Sequence, residues 1–136
     1  AATGGWGVLA LTYSGPHSDT VRAICQFLTL HRIPNWRMNT GALRADTRYV
    51  RFGAVGMADI IGILTVRSEL EQSGEVRMAL PPVVATIPGI FLAIEVKSAT
   101  GRLRPAQEAF LGTVTAAGGK AFVARSVADV QKALGL

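Results

Sequence analysis

Asp59, Glu95 and Lys97 combine side-chain type and position in a way that suits chemistry at a phosphate. Asp59 opens the run Ile60-Ile61-Gly62-Ile63-Leu64, while Glu95 and Lys97 close the run from Ile90 to Lys97. Both runs are short, apolar and rich in β-branched residues, the pattern of buried strands. Two carboxylates brought together at the ends of such strands lose hydration and repel each other unless a cation neutralises them. Hard oxygen donors in that position suit Mg2+ or Mn2+, and the backbone carbonyl of Val96 would add another donor. Lys97 lies on the same strand face as Glu95, where it would stabilise a hydroxide nucleophile or the charge growing on a phosphoryl oxygen.

A bare Glu-x-Lys is also the pattern of an exposed strand-end ion pair; on either reading Lys97 closes its strand, so replacing it with Ala should remove little packing and cost under about 1 kcal/mol. The surroundings favour a site. An acid heads one apolar strand, a Glu and a Lys end the next strong one, and Gly101, Pro105 and a helical stretch follow.

The elements that must position these residues can be read from periodicity. Val21, Ile24, Cys25 and Leu28 follow helical spacing, with Ser18 as candidate N-cap and Pro34 beyond the end. Trp36 to Asn39 and Tyr49 to Phe52 are strand candidates, with Asn39-Thr40-Gly41 as a turn between. Thr65 to Met78, with Ser73-Gly74 at its tip, reads as an exposed hairpin inserted at about residues 65–80. Along Ile90–Lys97 the two faces differ. Ile90, Leu92, Ile94 and Val96 make an aliphatic side, and Phe91, Ala93, Glu95 and Lys97 point the other way. Pro105 to Ala117 is a second helix stopped by Gly118-Gly119, Ala121 to Ala124 a further strand, and Ser126 with Asp129 caps a last helix through Leu134. A strand, helix, strand succession implies a crossover and a parallel pair within a mixed sheet, so the class is α/β.

With 136 residues the chain suits one domain spanning 1–136, in which residues 1–16 are a tail or, over Ala1 to Tyr13, a first strand. The apolar fraction of 49% excludes a disordered chain. The longest apolar stretch, Leu80 to Val96, is interrupted by Pro81, Pro82, Pro88 and Gly89, so no membrane span is expected. The lone Cys25 excludes an internal disulfide framework and a multi-cysteine zinc site; with helical spacing around it, it reads as a core residue, and it fits the cytoplasm. Histidines do not build a zinc site either: His31 suits a helix C-terminus, and His17 is assigned no role.

The net charge of +5 comes from 11 Arg and 3 Lys, a balance suited to bidentate phosphate contacts. Arg32, Arg37, Arg44, Arg48 and Arg51 cluster against the single acid Asp46. Such a stripe is either a phosphate-tracking surface or a solvated basic face.

The sequence Asn39-Thr40-Gly41-Ala42, then Arg51-Phe52-Gly53, Gly56, Asp59-Ile60, Glu95-Val96-Lys97 and Gly101 to Gln107 resembles the VRR-NUC branch of the PD-(D/E)xK, restriction-endonuclease-like nucleases. The resemblance runs from the first helix to the last. It implies an αβββαβ core, a central sheet flanked by helices, and metal-dependent endonuclease action on DNA phosphodiester bonds. Asp59, Glu95 and the Val96 carbonyl would bind the metal, Mg2+ or Mn2+, while Lys97 and Gln107 would assist catalysis. Asn39 and Thr40 would lie near substrate, together with Arg44, Arg48 and Arg51. Freestanding relatives imply branched, flapped or Holliday junction DNA as substrate, cut by a homodimer whose symmetry matches a junction.

Three departures from the family pattern bear on this. Ala58 stands where a Pro usually precedes the metal-binding Asp, which leaves open a catalytically silent nucleic-acid-binding module of the same fold. Arg104 replaces a capping Ser before Pro105. Asp19 stands near a family Glu, and is either a metal ligand or an acid favourably placed in the first helical turn. Gln107 has two readings as well: three residues after Arg104 it can cap the helix backbone, or it can face Lys97 and the attacking water.

Overall fold

The computed structural model describes residues 15–38, 41–45, 48–65 and 88–136. Helix α1 (Pro16–Leu30) leads into strand β1 (Asn35–Arg37), followed by β2 (Gly41–Ala45), β3 (Arg48–Phe52), β4 (Ile60–Thr65) and β5 (Gly89–Val96). Helix α2 (Pro105–Ala116), strand β6 (Lys120–Ala124) and helix α3 (Val127–Leu134) complete the order. The proposed hairpin at 65–80 lies, beyond Thr65, outside the described residues, as do residues 1–14.

The main sheet has the order β1-β4-β5-β6. β4 runs antiparallel to β1 and β5, with Ile60 opposite Ile94, and β5 runs parallel to β6, with Glu95 opposite Val123. The parallel pair is joined through α2, as a crossover requires. β2 and β3 form a separate two-stranded sheet in which Ala42 pairs with Arg51 and Arg44 with Tyr49. Gly41, expected in a turn, therefore begins a strand.

The alternation along β5 sorts the core into two layers. Leu92, Ile94 and Val96 join Ile60, Leu64 and Ala124 under Val21, Ile24 and Leu28 of α1 and Val130 of α3. On the opposite side Ala93 packs with Ala58 and with Leu111 and Val114 of α2. Each fully buried aliphatic side chain contributes about 1.5–3 kcal/mol, so this double layer fixes where the polar end of β5 emerges. Cys25 packs against the first layer, as expected, and burial pushes its thiol up from the ordinary value.

Helix α1 begins earlier than the Ser18 cap predicts. Pro16 at its first turn has a φ preset for the helix, so Gly15 becomes the N-cap. Ser18 is instead buried and accepts a hydrogen bond from Arg37 Nη2 at 3.1 Å, tying α1 to β1. The predicted tail through residue 16 is shortened for the same reason. At the other end Arg32, with φ 57°, takes the left-handed position, and the Ile33 amide bonds back to Leu28 O at 2.9 Å.

Helix α3 starts as predicted, with Ser126 Oγ accepting from the Asp129 amide. The return bond goes one residue earlier than a capping box requires, from the Arg125 amide to Asp129 Oδ2 at 2.8 Å.

Candidate active site

β4 and β5 stop pairing at Ile60 and Ile94, and the residues just past that point are Asp59 and Glu95. The main chain of Asp59 is held by β1, because the Met38 amide donates to its carbonyl at 2.7 Å. Its side chain takes over where the ladder ends: Oδ2 accepts from the Val96 amide at 2.8 Å. On the opposite edge of β5 the Lys97 amide donates to Ala124 O of β6 at 3.0 Å. The segment Glu95-Val96-Lys97 is thereby fixed from both sides.

Two glycines let neighbouring loops close on this segment. Gly56 has φ +80°, and a Cβ there would fall 2.3 Å from the Ala106 carbonyl oxygen at the start of α2. Only glycine allows the loop before Asp59 to lie so near Ala106, the residue before Gln107. Gly101 closes the turn after Lys97, its amide donating to Ser98 O at 3.2 Å.

Within this frame Glu95, Lys97 and Gln107 form a closed triangle. Lys97 Nζ lies 3.1 Å from Glu95 Oε1 and donates to Gln107 Oε1 at 2.8 Å, and Gln107 Nε2 donates to Glu95 Oε1 at 2.6 Å. The Gln107 oxygen also accepts from the Arg104 amide at 2.9 Å, so this residue caps α2 and faces Lys97 at the same time.

The ion pair is not the exposed one that the bare motif allows, because the side chains of Glu95 and Lys97 are only 3% and 15% exposed. The expectation that Lys97 could be lost at almost no cost in stability therefore fails, since its loss would strand a buried carboxylate. Burial, and next the charge of Asp59, push the Glu95 carboxyl up from its ordinary value of 4.5; Lys97 and the Asp59 backbone act in the opposite direction.

Glu95 Oε2 is buried and finds no hydrogen-bond partner among the described residues. A carboxylate oxygen withdrawn from water without a partner costs several kcal/mol, which is the situation a bound cation relieves. No group of three His, Cys, Asp or Glu side chains among the described residues could by itself hold a metal ion. Asp59, Glu95 and the backbone carbonyl of Val96 are the oxygen donors that fit one.

Asp19 is not brought to these groups: its carboxylate is 65% exposed and pairs with Arg22 at 3.2 Å on the surface of α1. His17, given no role by its sequence context, is brought to them, with Nε2 3.0 Å from Val96 O and 3.6 Å from Asp59 Oδ2. Its partner is 79 residues away in sequence, so spacing gave no signal for it. His31 caps the other end of α1, with its ring against Phe27.

Ala58, the departure before Asp59, is buried in the layer beneath α2, where a small side chain packs against Ala93. Arg104 is the N-cap of α2 without a side-chain cap bond, and the Gln107 oxygen satisfies its amide instead. Of the expected substrate contacts, Arg44, Arg48 and Arg51 lie on β2 and β3, and Asn39 and Thr40 lie outside the described residues. Sequence reasoning also missed a groove beside the loop that follows Lys97, lined by Arg102, Arg125 and Lys132 with Asp129 as its one acid. Arg125 closes it against that loop by donating from Nη1 to Ser98 O.

An α/β core that presents an Asp, a Glu and a Lys at the diverging ends of two central strands is the arrangement of a PD-(D/E)xK nuclease. The VRR-NUC domain matches residues 16–128, and the chain belongs to the VRR-NUC family within that superfamily. Nucleases of this superfamily generally use divalent metal ions. No curated protein and no solved structure matches the chain. No helix among the described residues is long and apolar enough to cross a membrane.

Proposed function

We propose that this protein is a divalent-metal-dependent endodeoxyribonuclease that hydrolyses phosphodiester bonds in branched DNA, flaps or Holliday junctions among them. The observation that carries the reading is the buried Glu95 Oε2, without a hydrogen-bond partner among the described residues, on a carboxylate that feels the charge of Asp59, an arrangement that a bound cation would neutralise. Mg2+ or Mn2+ held by Asp59, Glu95 and the Val96 carbonyl supplies Lewis acidity toward a phosphoryl oxygen and makes water a stronger acid.

The remaining work belongs to the chain. Lys97 holds a positive charge where negative charge develops on the scissile phosphate, and Gln107 fixes its direction by accepting from Nζ. Glu95 holds the Lys97 ammonium in place by pairing with it. The groove at Arg102 and Lys132 offers a polyanion a basic surface, and β2 and β3 carry Arg44, Arg48 and Arg51 as further candidates for phosphate contacts. A homodimer would present two such sites to the two equivalent strands of a junction.

The test is cleavage of supercoiled plasmid and of labelled junction, flap and linear duplexes, with Mg2+, with Mn2+ and with chelator. Metal-dependent cleavage that favours the branched substrates is expected. DNA binding that survives chelation, with no cleavage under either ion, would establish the binding module instead.

A further inference from the structure

We propose that His17 is a ligand of the divalent cation, so that this site takes a nitrogen donor and prefers Mn2+ to Mg2+. The proposal rests on the reading of Asp59 and Glu95 as a metal site and adds a ligand that this chain supplies from α1.

Pro16 starts the helix, and its second residue, His17, faces the end of β5. His17 Nε2, Asp59 Oδ2 and the carbonyl oxygen of Val96 meet there; Nε2–H donates to the carbonyl in the metal-free chain, and moving that proton to Nδ1 exposes the Nε2 lone pair to a cation. Nε2 is 3.0 Å from the carbonyl and 3.6 Å from the carboxylate. Donors about 2.1 Å from one cation lie about 3.0–3.4 Å apart when they are adjacent in octahedral or tetrahedral arrangement, so the 3.0 Å separation already suits neighbouring ligands and the 3.6 Å one requires a small inward turn of the ring. The imidazole is 52% exposed, which leaves it free to turn its lone pair inward without disturbing the core.

Asp19, the other side chain of this turn with metal-binding chemistry, is engaged by Arg22. Mg2+ favours oxygen donors and retains its waters, whereas imidazole suits first-row transition ions. A His at this position therefore shifts the choice of ion without altering the carboxylates.

The metal-free full chain is titrated with Mn2+ and with Mg2+ by calorimetry, as wild type, His17→Ala, His17→Gln and Asp59→Asn. Wild type should bind Mn2+ at least about tenfold more tightly than Mg2+. His17→Ala and His17→Gln should each lose about tenfold or more in Mn2+ affinity, since even partners outside the first coordination shell are worth about 10–100-fold, and should bind Mg2+ nearly as before. Electron spin echo spectra of the Mn2+ complex should show imidazole nitrogen coupling in wild type and none in either His17 variant; His31, past the far end of a 15-residue helix, is about 20 Å from His17 and too distant to contribute. His17→Gln retains a donor for Val96 O, so it separates ligation from a structural hydrogen bond.

Unchanged Mn2+ affinity in folded His17 variants, with Asp59→Asn abolishing binding, would overturn the role of His17 and leave the metal site standing. Absence of binding by wild type to either ion would overturn both.

Discussion

The Asp59 carboxylate accepts the Val96 amide at 2.8 Å, so the side chain proposed as a metal donor also ends the β4 and β5 ladder. The two roles can be separated by substitution. Asp59→Asn keeps an oxygen for the amide and should fold with little loss, while metal-dependent cleavage falls about 10²-fold or more. Asp59→Ala removes the acceptor too and should cost about 1–3 kcal/mol in addition. Melting curves in chelator, beside a nicking assay, check both; equal melting temperatures for the two variants would remove the structural role.

Gly56 governs how closely the Asp59 loop approaches α2. Gly56→Ala forces a left-handed φ on a residue with a side chain and drives that side chain into the Ala106 carbonyl. A loss of about 1–3 kcal/mol is expected, with a fall in cleavage because Asp59 and Gln107 move apart. Thermal unfolding and initial rates at a temperature where the variant is folded provide the measurement, and wild-type behaviour in both would show that the loop has room.

Much of this arrangement was legible because it depends on local pattern. The alternating faces of Ile90–Lys97 gave both core layers, and the apolar run after Asp59 put that acid at a strand end. What escaped depends on contacts distant in sequence. His17 meets Val96 only because α1 packs on the face of β5 that carries Ile94 and Val96. The depth of Lys97 is set by α2, whose Gln107 covers it. The start of α1 was misjudged because Ser18 has the chemistry of a cap, yet Pro16 fixes the first turn before it. β2 was missed because Gly41-Ala42-Leu43 carries no β-branched residue, so its pairing with β3 outweighs its own weak preference.

The Glu95 carboxyl has a pKa raised above its ordinary value of 4.5, so over the pH range between the two values the metal-free folded protein binds more proton at Glu95 than the unfolded chain does. More protons bound in the native state means that stability falls as pH rises. The contribution from Glu95 is complete below about pH 4.5 and is lost as pH passes through the raised folded value. The difference in unfolding free energy between wild type and Glu95→Gln should therefore change across that window and level off above it. Divalent metal should oppose the trend, because it competes with the proton for the same carboxylate. Urea unfolding at a series of pH values, with chelator and with Mn2+, tests this; a pH-independent difference would show that Glu95 titrates normally.

Phosphate contacts release counterions, so binding to uncleaved DNA in chelator should weaken steeply with salt. If the groove beside the Lys97 loop carries DNA, Arg102→Ala and Lys132→Ala should each reduce the slope of log K against log salt by about 1, and Arg48→Ala or Arg51→Ala should do the same for the hairpin of β2 and β3. Fluorescence anisotropy from low to moderate salt gives the slopes. An unchanged slope in a variant removes that residue from the interface.

Lys97 is where fold and chemistry are most tightly joined. Its ammonium pairs with a carboxylate that is almost wholly buried, so Lys97→Ala should destabilise the protein by up to about 3–5 kcal/mol, and by less where Glu95 can take up a proton. The rate should fall by about 10²-fold or more if Lys97 stabilises developing phosphoryl charge, since each 1.4 kcal/mol or so is tenfold. Loss of activity in this single variant alone would not distinguish unfolding from lost chemistry. Glu95→Gln combined with Lys97→Ala removes both members of the pair, leaves no buried unpaired charge, and should recover most of the melting temperature while remaining inactive. In Lys97→Ala itself, assayed well below its melting temperature, DNA binding should stay within a few fold of wild type while cleavage is lost. Near-normal cleavage by folded Lys97→Ala would reduce the residue to a counterion for Glu95 and would move the stabilisation of phosphoryl charge to another group.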